Sequence, residues 1–394
     1  MLSGKCDLME NMSPKSSAQP TTAATAAPAE GLINWELAAR TAASLAPAGP
    51  LLGGREIAAA VDNLRLMADR SVPYVHEITR LDAARDLRDS EVLVVDRASW
   101  AKANTQSFAV MMDPIVAQMA AKQAASGKSA NAAISGTVTG AQLGAALAFL
   151  SSKVLGQYDP FAALAPVAAG APASTATGGR LLLVAPNIIT IERELKVDPA
   201  DFRLWVCLHE QTHRVQFAAA PWLRHHMLEQ IEQLGGLLVG ETQNIGERLV
   251  AATKQLGNKR PDPDVPSRGG ILDLLQDPEQ KAALSHVTAV MSLLEGHANV
   301  VMDAVDTSIV PTMKTIRQRF NGRGKDRGAL EKFIRNLMGL DAKMRQYSDG
   351  AKFVREVVAL AGMDGFNNVW AGADHLPTEK EIHNARLWVE RMGL

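Results

Sequence analysis

Two histidines four residues apart, with a glutamate directly after the first, most constrain the fold of this chain. The segment reads His209-Glu210-Gln211-Thr212-His213. Residues four apart on an α-helix project from the same face, so one tetrahedral metal ion can bind both imidazoles while the glutamate stays free to accept a proton. The pattern therefore predicts a helix that carries a zinc site, with His209 and His213 as ligands and Glu210 as the general base.

The flanking residues indicate where this helix begins and ends. Asp198 and Pro199 offer an N-cap followed by proline at the first helical position, and Pro221 is expected to end the helix. Both histidines then lie in mid-helix, on the same stripe as Phe202 and Phe217, and we expect the imidazoles to face an apolar interior.

A buried imidazole needs a partner, and two interpretations remain. The histidines are either metal ligands or a pair of core residues that are hydrogen-bonded to carbonyl or carboxylate oxygens. Two histidines at this spacing with a glutamate after the first favour metal binding.

A zinc site of this kind requires a third ligand, and one class is excluded at once. The metzincin pattern needs Gly at position 216 and His at position 219, where this chain has Gln216 and Ala219. Glu232 follows His213 at a spacing that resembles the aminopeptidase branch of the gluzincins. However, its neighbours are polar enough for an exposed helix face. Glu232 is therefore a candidate but not the favoured one.

Glu295 is the favoured third ligand. It is the only formally charged residue in the apolar run 289–302, and a buried carboxylate is costly unless it is paired or bound to a metal. Asn299, one turn later, is predicted to hydrogen-bond a ligand imidazole and so orient it. The alternative for Glu295 is a salt bridge between helices. His297 points elsewhere and either lines the cleft or is a hydrogen-bonded core histidine, which is the favoured interpretation.

Four separated segments carry a resemblance to a known family. They are GAQLGAALAFLSSKVLGQYD (140–159), LLLVAPNII (181–189), VDPADFRLWVCLHEQTHRVQF (197–217) and LLEGHANVVMDAV (293–305). Together they resemble the bacterial zincin-like type 2 metallopeptidase family over residues 31–394. The resemblance implies zinc as the cofactor and the histidines of HExxH with the glutamate of EGHA as its ligands, which here are His209, His213 and Glu295. It leaves the substrate open.

Composition and periodicity predict a mainly α fold, α+β with a small sheet. The chain has 394 residues, of which 47% are hydrophobic and 21% charged, a composition that suits a sizeable core. Its net charge of −1 lacks the excess of basic residues that is typical of nucleic-acid-binding proteins, so a nucleic-acid partner is not expected. The best strand candidate is 181–191, which is either an edge strand beside the cleft or an ordinary core strand.

We expect three regions along the chain. Residues 1–30 are predicted to be a disordered tail, 31–178 a helical N-terminal extension, and 179–394 the zincin-like catalytic region. The tail lacks the apolar stretch of a secretory signal, and the run 140–155 is too short and too polar to span a membrane. The two cysteines make no disulfide framework, so the predicted location is the cytoplasm.

The predicted activity is hydrolysis of a peptide or a small amide by a water molecule that zinc and Glu210 activate. A protein donor must also stabilise the oxyanion, and Tyr347 is the candidate, with Arg345 and His375 as rivals. Two other functions stay open, a metal-dependent hydrolase of a non-peptide metabolite and a non-catalytic binding or scaffold protein. The oligomeric state is not predicted.

Overall fold

Helices dominate the computed structural model. The structure describes residues 33–85, 87, 90–125, 132–165, 178–241, 278–322 and 346–394. Within these ranges it does not describe the side chains of residues 122–124, 132–137, 237–241, 321 and 346–348. The helices are α1 (Trp35–Leu45), α2 (Gly54–Thr79), α3 (Arg97–Ala125), α4 (Ala132–Ser151), α5 (Ala185–Leu195), α6 (Pro199–Ala219), α7 (Leu223–Glu241), α8 (Pro278–Ala304), α9 (Met313–Gly322), α10 (Gln346–Phe366), α11 (Glu379–His383) and α12 (Ala385–Met392). Short 3-10 turns lie at Asp82–Ala84, Pro160–Leu164, Asn367–Trp370 and Ala373–His375. The tail predicted for residues 1–30 lies outside the described residues.

A three-stranded sheet completes the described fold and confirms the prediction of a mainly α protein with a small sheet. The strands are β1 (Glu91–Val95), β2 (Gly156–Asp159) and β3 (Arg180–Val184), in the order β1-β3-β2. Strand β3 pairs with β1 in parallel and with β2 in antiparallel register, so β3 is the central strand.

The strand expected at 181–191 corresponds to β3, which is shorter than expected and is a central strand instead of an edge strand. It ends at Val184, because Pro186 follows in the first turn of α5 and the chain turns helical there. Leu181, Leu182 and Leu183 are almost fully buried, as in a core strand. Strand β2, which the sequence does not predict, also lies beside the HExxH helix.

Helix α6 begins and ends as its sequence predicts. The Asp198 side chain caps the helix by accepting a hydrogen bond from the backbone N–H of Asp201 at 3.0 Å, and Pro199 occupies the first turn. The helix ends at Ala219, before Pro221. The HExxH segment consequently lies in the middle of a regular helix, and both histidines project from one face.

One hydrophobic core extends across most of the described chain. It includes Leu64 of α2 and Tyr158 of β2 together with Phe202 of α6 and Trp388 of α12. Side chains from both sides of residue 178 thus pack together, and the division of the chain at that point remains a prediction. None of the described helices combines the length and the hydropathy needed to cross a membrane. A cytoplasmic location likewise remains a prediction.

Helices α8 and α10 approach closely at two glycines. A methyl group on residue 296 would lie 2.2 Å from the carbonyl carbon of Gly350, and one on residue 350 would lie 1.9 Å from the carbonyl oxygen of Ser292. Real Cβ atoms do not occupy such positions, so only glycine permits this separation. Because Gly296 follows Glu295 directly, this contact holds the segment of α8 that carries Glu295 against α10.

We predict that Gly296→Ala destabilises the protein by about 1–3 kcal/mol or more, because the added methyl group forces α8 and α10 apart. Denaturant unfolding followed by circular dichroism measures the change. Gly54→Ala is the control, because a Cβ at Gly54, in the first turn of α2, meets nothing within 4 Å. Its free energy of unfolding should equal that of the parent protein or be slightly higher. Equal midpoints for Gly296→Ala and the parent protein would contradict the account of this contact.

Candidate metal centre

Three side chains with donor atoms suited to a metal converge between α6 and α8. The Nε2 atoms of His209 and His213 lie 3.3 Å apart, and Nε2 of His213 lies 3.7 Å from Oε1 of Glu295. One donor atom from each residue lies within 4.8 Å of the others. Across the described part of the chain, these residues form the one group of three or more His, Cys, Asp or Glu that satisfies this criterion.

The separations of these donors suit zinc. Zn–N and Zn–O bonds of about 2.0–2.1 Å in a tetrahedron place two ligand atoms about 3.3–3.4 Å apart. The His209–His213 separation has this value, and the His213–Glu295 separation exceeds it by a few tenths of an ångström. Two imidazoles and one carboxylate are also a ligand set that is found in catalytic zinc sites, where the fourth coordination position of the metal stays open.

The three candidate ligand side chains are partly accessible to solvent. His213 is 15% exposed and Glu295 is 33% exposed in their side chains, and His209 is also only partly buried. The imidazoles are mostly but not fully buried, on the helix that also buries Phe202 and Phe217. A substrate can reach a site of this exposure.

Burial and the neighbouring His213 lower the pKa of His209 to about 4, although Glu295 opposes the shift. His209 is thus a neutral imidazole near pH 7. A metal ion binds that form, so no proton has to leave this ring before the ion can bind.

Glu210 lies beside the three donors and is 7% exposed. Burial is the main cause that raises the pKa of Glu210 to about 7, and the nearby Glu295 raises this pKa further. His213 and a hydrogen bond from the backbone N–H of Tyr158 to the Glu210 carboxylate act in the opposite direction. A methyl group on Gly156 would lie 2.5 Å from Cγ of Glu210, so glycine at this position makes room for the side chain. Strand β2 therefore holds Glu210 in place.

The register of β2 explains this contact. Val184 donates a backbone hydrogen bond to Leu155, and Gly156 is paired with Leu183. In an antiparallel pair, the residues that exchange hydrogen bonds alternate with residues whose N–H and C=O groups point away from the neighbouring strand. Gly156 and Tyr158 belong to the second kind, and the N–H of Tyr158 accordingly points to Glu210.

Gln216 contacts the imidazole of His213, a contact that the sequence does not predict. Its Oε1 lies 3.0 Å from Nδ1 of His213, and its Nε2 lies 2.8 Å from the carbonyl oxygen of Leu294 and 3.1 Å from Nδ1 of His297. The available signal was its position three residues after His213, which places both on one helix face. Asn299 is exposed on α8, and its orienting role remains a prediction.

The other candidates do not join this group in the described residues. Glu232 is partly buried on α7 and is not among the three converging residues. The side chain of Tyr347 and the whole of Arg345 lie outside the described residues, so the assignment of the oxyanion donor stays a prediction. Nδ1 of His375 lies 2.8 Å from the carbonyl oxygen of Asn368, in the turns that precede α11.

Comparison with known proteins agrees with this geometry. The model of the zincin-like metallopeptidase family matches residues 33–389, nearly the whole chain. The chain belongs to this family. It is also similar to a solved structure from Chloroflexus aurantiacus described as "a putative hydrolase with a novel fold", with 29% identity and a TM-score of 0.63 over 92% of this chain and 99% of the other. No curated protein matches. The family supports a metal-dependent hydrolase.

We predict that the parent protein binds about one equivalent of zinc and that His209→Ala and Glu295→Ala bind far less, because each change removes one of three ligands. Equilibrium dialysis followed by metal analysis measures the stoichiometry. Glu232→Ala is the matched control, since it removes the rival carboxylate from a partly buried position on α7. Normal zinc content in Glu295→Ala together with loss in Glu232→Ala would reverse the ligand assignment.

Proposed function

We propose that this protein is a zinc-dependent hydrolase of peptide or amide bonds, with a gluzincin-like ligand set of His209, His213 and Glu295. The observation that carries the proposal is the convergence of these donors, from two separate helices, beside the buried carboxylate of Glu210. A site used only to hold a structural ion would gain nothing from an additional buried carboxylate, which costs free energy to desolvate.

Zinc, when bound, supplies Lewis acidity, which polarises a carbonyl group and lowers the pKa of a water molecule. Glu210 accepts the proton of the attacking water and then transfers it to the nitrogen of the leaving amine. The N–H of Tyr158 holds the Glu210 carboxylate in one orientation throughout. The partial burial of the site limits the water that surrounds these groups.

Strand β2 supports an extended peptide as the substrate. It is an edge strand of the sheet, and Gly156 packs directly against Glu210. Edge strands bind extended peptides through main-chain hydrogen bonds, and glycine permits a close approach of the two backbones. We therefore propose that the scissile bond is presented by a substrate segment that lies beside this edge, next to Glu210, and that pairs with backbone groups of β2 other than the Tyr158 N–H, which Glu210 already occupies.

We predict that Glu210→Gln lowers the rate of hydrolysis about 100- to 10,000-fold while zinc content and the unfolding midpoint stay close to those of the parent, because the amide cannot accept the proton. The substrates are a peptide library and a panel of small amides, analysed by mass spectrometry with the zinc-loaded protein. Glu232→Gln is the matched control and is expected to react at the rate of the parent protein.

Different outcomes separate the alternatives. Cleavage of small amides but of no peptide would contradict a peptide substrate and support a hydrolase of a non-peptide metabolite. Zinc binding without turnover on either panel would support a binding or scaffold protein and contradict an enzymatic function. Undiminished turnover in Glu210→Gln would show that another group accepts the proton.

A further inference from the structure

The primary amide of Gln216 is fully buried and contacts three groups at once. Its oxygen lies near Nδ1 of His213, and its nitrogen lies near both the carbonyl oxygen of Leu294 and Nδ1 of His297. An amide group has two N–H donors on nitrogen and an acceptor oxygen, so these three contacts use both of its hydrogens and one lone pair. Buried polar groups are normally satisfied in this manner.

The carbonyl of Leu294 decides which way this amide points. A backbone carbonyl oxygen can only accept hydrogen bonds, so the amide atom 2.8 Å from it must be the nitrogen. If the amide were rotated by 180°, its oxygen would face the carbonyl oxygen of Leu294, and two buried acceptors would oppose each other. The amide oxygen of Gln216 therefore faces His213.

The tautomer of His213 follows from this orientation. Because the amide oxygen only accepts, Nδ1 of His213 must carry a hydrogen and donate it over the 3.0 Å separation. In a neutral imidazole the other nitrogen then has a free lone pair. That nitrogen is Nε2, the atom that lies 3.3 Å from Nε2 of His209 and 3.7 Å from Glu295.

His297 completes the arrangement from the opposite side. Its Nδ1 receives the second amide hydrogen of Gln216, so its own hydrogen is on Nε2. Among the described residues that buried Nε2 has no hydrogen-bond partner, and the ring centroid lies 5.1 Å from that of Phe366 and 5.4 Å from that of Trp370. Nδ1 of His297 thus accepts a hydrogen bond, as the unprotonated nitrogen of a neutral imidazole does.

We propose that Gln216 is a positioning residue that holds His213 in the tautomer able to bind metal through Nε2, and that the Leu294 carbonyl and His297 fix the direction of its amide. The inference rests on the proposed ligand set. Orientation of a ligand imidazole by a hydrogen bond to its other nitrogen is a general requirement of metal sites, and carboxylates, backbone carbonyls and water commonly supply it. In this chain a neutral side-chain amide supplies it.

The test compares two glutamine-to-methionine variants of α6. Gln216→Met removes the acceptor for Nδ1 of His213 with little change in volume. Gln211→Met is the matched control, because Gln211 is also buried and its hydrogen bonds involve no imidazole. Its Nε2 donates to the backbone carbonyl of Ala68 at 3.0 Å, and its Oε1 accepts from Nη1 of Arg214 at 3.4 Å. Competition with a chromophoric chelator measures the zinc dissociation constant, and denaturant unfolding measures stability.

We expect both variants to lose stability, and only Gln216→Met to lose zinc affinity, by about 10- to 100-fold. Equal zinc dissociation constants for Gln216→Met and Gln211→Met would overturn the proposal. Should Gln216→Met not fold, the parent protein decides the question by itself. Nitrogen-15 NMR of its metal-free histidine rings is expected to show the hydrogen of His213 on Nδ1, and a hydrogen on Nε2 would overturn the proposal.

These measurements also separate this inference from the proposed function. If the parent protein binds no zinc but His213 carries its hydrogen on Nδ1, the proposed zinc ligand set is contradicted, whereas the hydrogen bond from His213 to Gln216 is supported. If the parent binds zinc and the Nδ1 hydrogen is absent, the metal site stands and the positioning role of Gln216 is wrong.

Discussion

The meeting of α6 and α8 is the interaction on which the whole site depends. The histidines lie on α6 and the carboxylate on α8, and more than 80 residues separate His213 from Glu295 in the sequence. Neither helix alone offers three ligands to one ion. The side chain of Gln216 bonds to the Leu294 carbonyl and so joins the two helices at the level of the site. The same side chain contacts Nδ1 of His213, and on our proposal it therefore joins the helix pair and orients one of the candidate ligands.

The surrounding fold presses these helices together from two sides. On one side, α10 approaches α8 at Gly296 and Gly350 so closely that neither residue tolerates a Cβ. On the other, β2 approaches α6 at Gly156 and places its backbone against Glu210. Glycines at such contacts lose more conformational entropy on folding than other residues, but they allow the backbones to pack closely. We expect this packing to hold the donors close together before any ion binds, which would lower the cost of binding.

The sequence predicted what depends on local rules. The bounds of α6 follow from Asp198, Pro199 and Pro221, and the shared face of the two histidines follows from helical spacing. Glu295 was selected as a lone charge in an apolar run, and it does lie beside the histidines. What the sequence could not supply were features that depend on pairing between distant segments. Strands β1 and β2 are too short for a periodic signal, and the role of Gln216 depends on the carbonyl of a residue 78 positions away.

The most direct test of this account is the X-ray absorption spectrum of the protein loaded with one equivalent of zinc. The account predicts nitrogen and oxygen ligands at about 2.0–2.1 Å with the outer-shell scattering of two imidazoles, and no sulfur ligand. Cys207, buried two residues before His209, is the nearest source of sulfur in the α6 sequence. A sulfur distance of about 2.3 Å, or a spectrum without imidazole scattering, would contradict a site formed by His209, His213 and Glu295.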